Sequence, residues 1–226
     1  MATLILAAFL ALSVNYIQLS GTSRLPGADG EVKVVETGGP RRLAVHVTSM
    51  KPASLFGGDF NTYVAWIISP DRQPVNVGEI QLNGEDGYLE TSTKSAGFDI
   101  LVTAEPHFAV ERPSRFVVLK TVHAGEVHGV RYNYERDTLA RVKRALGPVR
   151  SDVPQAYTAI RLAERAGAAA LAPEQMLAAR ESLRQTLELS RERKPYESIQ
   201  EQAHRTIEFA VAAQRLAENR STATTR

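Results

Sequence analysis

The sequence predicts an α+β chain in several parts: an antiparallel, Ig-like β-sandwich followed by an alanine-rich α-helical hairpin or bundle. Three observations predict it. Between Asn15 and Tyr134 apolar residues recur about every second position, punctuated by Gly, Pro and Asn. After Tyr134 the apolar spacing changes to three and four, and proline marks the helix starts. The charge balance changes sign at the same place, with 10 Lys+Arg against 13 Asp+Glu in residues 1–130 and 17 against 12 in residues 131–226.

The first part is read as strands. Tyr16-Ile17-Gln18-Leu19, Glu31-Val32-Lys33-Val34-Val35 and Leu43-Ala44-Val45-His46-Val47 each have the length and turn-bounded setting of a short strand. Tyr63-Val64-Ala65-Trp66-Ile67-Ile68 is nearly all apolar, as a central strand covered on both faces would be. Residues 79–82, 87–91, 98–103 and 116–119 complete the set. Gly38-Gly39-Pro40, Ser69-Pro70-Asp71 and Ser95-Ala96-Gly97 supply turn chemistry between them. Asn83-Gly84 opens an expected four- or five-residue hairpin loop. Seven or more short strands at this spacing predict a sandwich, with Trp66 as the core anchor between its two sheets.

The second part is read as helices. Residues 135–146 end at Gly147-Pro148, a stop signal. Ser151-Asp152 offers an N-cap, with Pro154 in the first turn. Helices over 155–171, 174–192 and 196–219 then present thin alanine-rich seams: Ala156, Ile160, Ala163 and Gly167; Met176, Ala179, Leu183 and Leu187; Tyr196, Ile199, Ala203, Ile207, Ala210 and Ala217. Residues 221–226 are expected to fray as a flexible tail. The expected organisation is a signal segment over 1–13, a sandwich over 14–132, a helical part over 133–220 and the tail.

Residues 3–14, TLILAAFLALSV, form an uncharged apolar run. Spanning a bilayer takes ~20 apolar residues, so this run is read as the hydrophobic core of a secretory signal and not as a span. Ala11 and Ser13 supply small residues for a cut after Ser13, although no Lys or Arg precedes the run. The competing reading is a buried first element of a cytosolic regulatory adaptor. The absence of cysteine excludes disulfides, Cys-ligated zinc and thiol catalysis. A net charge of only +2, without a concentrated basic face, predicts no nucleic-acid partner.

Among chemistry-bearing residues, His123, Glu126 and His128 are the best metal-like constellation. Two imidazoles and a carboxylate suit zinc, and a metal-dependent hydrolase centred on them is the alternative functional class. Their H-x-x-E-x-H spacing contains Gly125 and does not place the three groups on one helical face, so no metal or cofactor is expected. Thr91-Ser92-Thr93-Lys94 sits on a strand end, where a Ser/Lys pair would not meet. Gly57-Gly58-Asp59 lacks the helix and Lys of a phosphate loop and is read as a turn. Glu105, His107, Glu111 and Arg112 are expected in one solvent-facing loop that could form a binding edge, and Arg141 and Arg144, with Lys143, in a small basic cluster.

Two resemblances accompany these readings. Thr62-Tyr63-Val64-Ala65-Trp66 with Ser69-Pro70-Asp71, Gly78-Glu79 and Val102-Thr103-Ala104-Glu105-Pro106 resembles the extracytoplasmic β-sandwich of bacterial anti-sigma factors and related exported proteins. No sigma-binding helices are read here, so sigma regulation is not implied. Residues 155–219, with Tyr157, Ala163, Ala166, Ala168, Pro173, Ala203 and Ala210-Val211-Ala212-Ala213, resemble an alanine-rich helical domain of bacterial envelope proteins that often precedes an outer-membrane-protein-A-like domain. Together they imply a periplasmic or envelope location and no catalytic residue. The function expected is a non-enzymatic envelope module. Its sandwich would bind an envelope protein or cell-wall component, and its helices would serve spacing, assembly or homo-oligomerisation.

Overall fold

The structure, a computed structural model, describes residues 13–36, 38–70, 73–126, 128–136 and 147–224. It is α+β. Nine strands form one antiparallel sheet: β1 (Ser13–Gly21), β2 (Asp29–Glu36), β3 (Arg41–Thr48), β4 (Thr62–Ile68), β5 (Pro74–Glu79), β6 (Gln81–Asn83), β7 (Asp86–Thr93), β8 (Asp99–Glu105) and β9 (Val117–Lys120). Four helices follow: α1 (Asp152–Arg165), α2 (Ala168–Leu171), α3 (Pro173–Arg191) and α4 (Tyr196–Thr224).

The strand order β5-β4-β8-β9-β1-β2-β3-β7-β6 divides the sheet into two halves. The ladder between them, where β9 meets β1, is short: Ser20↔Lys120 and Gly21↔Leu119, extended by the Thr22 N–H to the Val118 carbonyl at 2.9 Å. The inward faces of the halves share one core. Val32, Val34, Leu43, Val45 and Val47 come from one side, and Tyr63, Ala65, Ile67, Ile100, Val102 and Ala104 from the other. Phe56, Phe60 and Phe116 fill one end, their rings edge-on or tilted at centroid distances of 4.5 to 6.2 Å.

β4 is buried on both faces, as its composition requires, but Trp66 does not lie between the halves. Period-two alternation puts Tyr63, Ala65 and Ile67 into the shared core and Val64, Trp66 and Ile68 on the opposite face. There Trp66 joins a smaller cluster with Leu101 and Val110, and its indole N–H donates to Thr103 Oγ1 at 2.7 Å. The expected loop after Asn83 is tighter than the sequence implied: Asn83 pairs with Asp86, leaving only Gly84 and Glu85 in the turn. A strand at Pro74–Glu79 was not foreseen, because its apolar content is only two valines.

The helices follow their proline signals, with two differences. Gly167 adopts a left-handed conformation (φ 80°) and breaks the expected 155–171 helix into α1 and α2. α4 continues to Thr224, so residues 221–224 of the expected tail are helical. α1, α3 and α4 pack through buried alanines: 156, 159, 163, 179, 203, 210, 213 and 217. Small side chains let the axes approach closely, while a buried hydroxyl cluster of Ser182, Thr186 and Thr206 satisfies itself between α3 and α4. The expected helix over 135–146 lies almost wholly outside the described residues, as does the signal segment up to residue 12. Among the described residues no helix is long and apolar enough to cross a membrane.

Candidate functional site

The chemistry-bearing residues gather where the bundle meets the sheet. Two polar clasps hold this joint. In the first, Asp59 follows the Gly57-Gly58 turn and is buried. A Cβ at Gly58 would lie 2.1 Å from the Asn133 carbonyl, so only glycine lets this turn press against residues 133–135. Asp59 receives Arg165 Nη2 at 2.8 Å and Arg161 Nη2 at 3.4 Å from α1, and the Asn133 backbone N–H at 3.1 Å.

The second clasp is built on Glu79 (β5), Asp152 (α1) and His204 (α4). Glu79 Oε1 accepts from Thr62 Oγ1 and from Gln155 Nε2, the latter at 2.7 Å. Asp152 Oδ1 accepts from Gln200 Nε2 at 3.2 Å and meets His204 Nε2 at 3.0 Å, while Oδ2 accepts from Tyr196. The Phe108 ring packs 4.4 Å from the imidazole. Asp152 was expected to cap its own helix, but its carboxylate is spent on α4 instead.

Burial raises the Glu79 carboxyl above its ordinary value, against the hydrogen bonds it accepts. Burial also works to raise Asp152, but the hydrogen bonds from His204, Tyr196 and Gln200 together outweigh it and hold that group low. The hydrogen bond to Asp152 raises His204.

Among the described residues, Glu79, Asp152 and His204 are the one trio of imidazole and carboxylate ligand atoms lying within 4.8 Å of one another. The donor set suits a divalent cation in kind. Each of these oxygens already accepts protein hydrogen bonds, however, so the network is closed as it stands.

The residues singled out in the sequence fall into three groups. Glu105 and His107 are buried rather than solvent-facing, because β8 runs through Glu105 and the following loop folds back against α1. Glu105 Oε1 accepts from Thr103 Oγ1 and from the Ser114 backbone N–H at 2.6 Å. Its Oε2 and the Nδ1 of His107 are buried without a hydrogen-bond partner. Burial pushes the Glu105 carboxyl up to about 8 and the His107 imidazole down to about 4, so both are neutral near pH 7.

Glu111 and Arg112 remain exposed at the edge. With His107, Tyr132, Asn133, Asp59 and Arg165 they line a cavity of about 410 Å³ between the sheet and the bundle. Glu111 pairs with Arg215 of α4. Glu111 and Arg112 also line a second cavity of about 800 Å³, and here His123, Glu126 and His128 join them, with Phe98, Pro70 and Pro113. The loops on either side of β9 are thus brought to one site, with Pro70 and Phe98 from earlier in the chain. Arg141 and Arg144, with Lys143, lie outside the described residues.

Sequence reasoning missed Asp59, Glu79, Arg165 and His204. Asp59 looked like a turn residue, and the others sit among ordinary polar positions of a strand or helix. No local spacing signals a contact made across 52 or more residues. No family model, no curated protein and no solved structure matches the chain.

Proposed function

We propose that the protein is a non-enzymatic interaction module of the bacterial cell envelope, and that the loop over residues 107–113 is its recognition element. The observation that carries this reading is that Glu111 and Arg112 stand in the wall common to both cavities. Arg112 is exposed on this wall and offers the planar, fork-shaped donor set suited to a carboxylate or phosphate. The helices hold the loop in place, through Gln155 to the Phe108 backbone and Arg215 to Glu111. A pre-organised loop loses less entropy on binding.

In this reading the two sheet halves are the leaves of an Ig-like sandwich. Support comes from their alternating inward faces and their narrow connection at β9 and β1. The apolar run before Val14 supports export, and a cell-wall component or envelope protein is the partner class.

The test is retention of the purified protein on isolated envelope and peptidoglycan fractions. The native chain is expected to be retained, and Arg112→Glu to lose at least tenfold with an unchanged melting temperature. No retention of the native chain on any fraction would remove the proposal.

A further inference from the structure

The β1 strand carries an edge that its neighbours leave open. Residues 13–20 pair with β2, but on the opposite side only Ser20 and Gly21 meet β9. β9 ends at Lys120, and the chain turns away at Thr121, leaving Val122 80% exposed. Along residues 13–19, about 24 Å of strand at 3.4 Å per residue, no strand among the described residues takes up the outer backbone groups.

Among the described residues this edge carries none of the charge, proline or bulge by which sheet edges are ordinarily protected. Ser13-Val14-Asn15-Tyr16-Ile17-Gln18-Leu19 contains no charge and no proline, and its register with β2 runs without a bulge. Val14 is 42% and Tyr16 57% exposed on the outward face.

We infer that this edge pairs with the same edge of a second copy of the chain, in a twofold antiparallel arrangement that continues the sheet across two subunits. An uncharged segment brings no like charges together when paired with itself. The adjacent β2 residues alternate in sign, with Lys33 beside Tyr16 and Glu31 beside Gln18, so the rim selects neither an acidic nor a basic peptide. Centred on Tyr16, the pairing sets its ring against Tyr16 of the partner subunit, an aromatic cross-strand pair. A single strand pair covers little area, so the dimer is weak and forms only at high protein concentration. It is independent of the cavity wall at Glu111 and Arg112.

The chain lacks cysteine, which makes the test direct. Single variants Val14→Cys, Tyr16→Cys and Gln18→Cys of the full chain are oxidised mildly, beside Leu177→Cys on the exposed surface of α3. At least one β1 variant is expected to give disulfide-linked dimer at tenfold or more the yield of Leu177→Cys. In sedimentation velocity the native chain is expected to shift from monomer to dimer with rising concentration, and Tyr16→Lys to abolish the shift. Monomer at every concentration, cross-linking at Leu177→Cys equal to or above all three β1 variants, or a dimer indifferent to Tyr16→Lys overturns the inference.

Discussion

Nε2 of His204 lies 3.0 Å from Oδ1 of Asp152, joining the third turn of α4 to the first residue of α1 beside the sheet residue Glu79. His204 is held above its ordinary value of 6.5 chiefly by this hydrogen bond. A raised group of this kind contributes stability that is fully present below pH 6.5 and lost as pH rises through the folded-state value. His204→Ala is therefore expected to cost about 1 kcal/mol near pH 5.5 and less near pH 8.5. Urea unfolding at the two pH values checks it, and an equal cost at both would refute the charged pairing.

Glu105 and His107 give the molecule an acid-side stability plateau. Glu105, raised from 4.5 to about 8, contributes stability present below pH 4.5 and lost as pH rises toward 8. His107, lowered from 6.5 to about 4, contributes stability present above pH 6.5 and lost as pH falls toward 4. Between pH 4.5 and 6.5 the two slopes oppose each other, and from 6.5 to 8 the Glu105 slope stands alone, at about 1 kcal/mol per pH unit. Glu105→Gln keeps a carbonyl oxygen for the Thr103 and Ser114 donors and is expected to flatten the decline above pH 6.5. Trp66, the single tryptophan, donates to the same Thr103 hydroxyl. Its fluorescence should titrate near pH 8 in the native chain and not in the variant.

Arg165→Ala leaves the buried Asp59 carboxylate with the longer Arg161 contact and one backbone N–H. Arg165 is itself half exposed, so solvent screens much of the pair, and the expected loss is about 1 kcal/mol. The more specific signature is local. Amide hydrogen exchange should quicken in α1 and in residues 130–134, where the turn is pinned, while the β2–β3 ladder is unchanged. Uniform quickening across both regions would argue against a clasp.

The bundle depends on small side chains. Ala210 is fully buried in the seam of α4. Ala210→Leu is expected to destabilise by about 1–3 kcal/mol through overpacking, whereas Ala212→Leu, on the exposed face, should be neutral. Thermal unfolding of both variants measures the contrast.

Much of this architecture was legible because its causes are local. The period-two stretches and the proline-marked helix starts place strands and helices within a few residues of their observed bounds. The candidate site was legible only in part. Glu111 and Arg112 were found at the edge because a Pro-rich, charged connection after a strand has to reach the surface. The burial of Glu105 and His107 was not legible, because it depends on the loop after β8 folding back onto α1, where the Phe108 N–H meets Gln155.

The sequence by itself determined the succession of strands and helices, the alanine seams and the absence of thiol chemistry, since each follows from residue type and spacing along a few turns or pleats. Only the tertiary structure decided that Trp66 faces away from the shared core, that Asp152 serves α4 rather than its own helix, and that two loops converge on Glu111 and Arg112. Each of those outcomes depends on which surface arrives from a distant part of the chain, and the energy of a buried polar group is set by that neighbour rather than by its own position in the sequence.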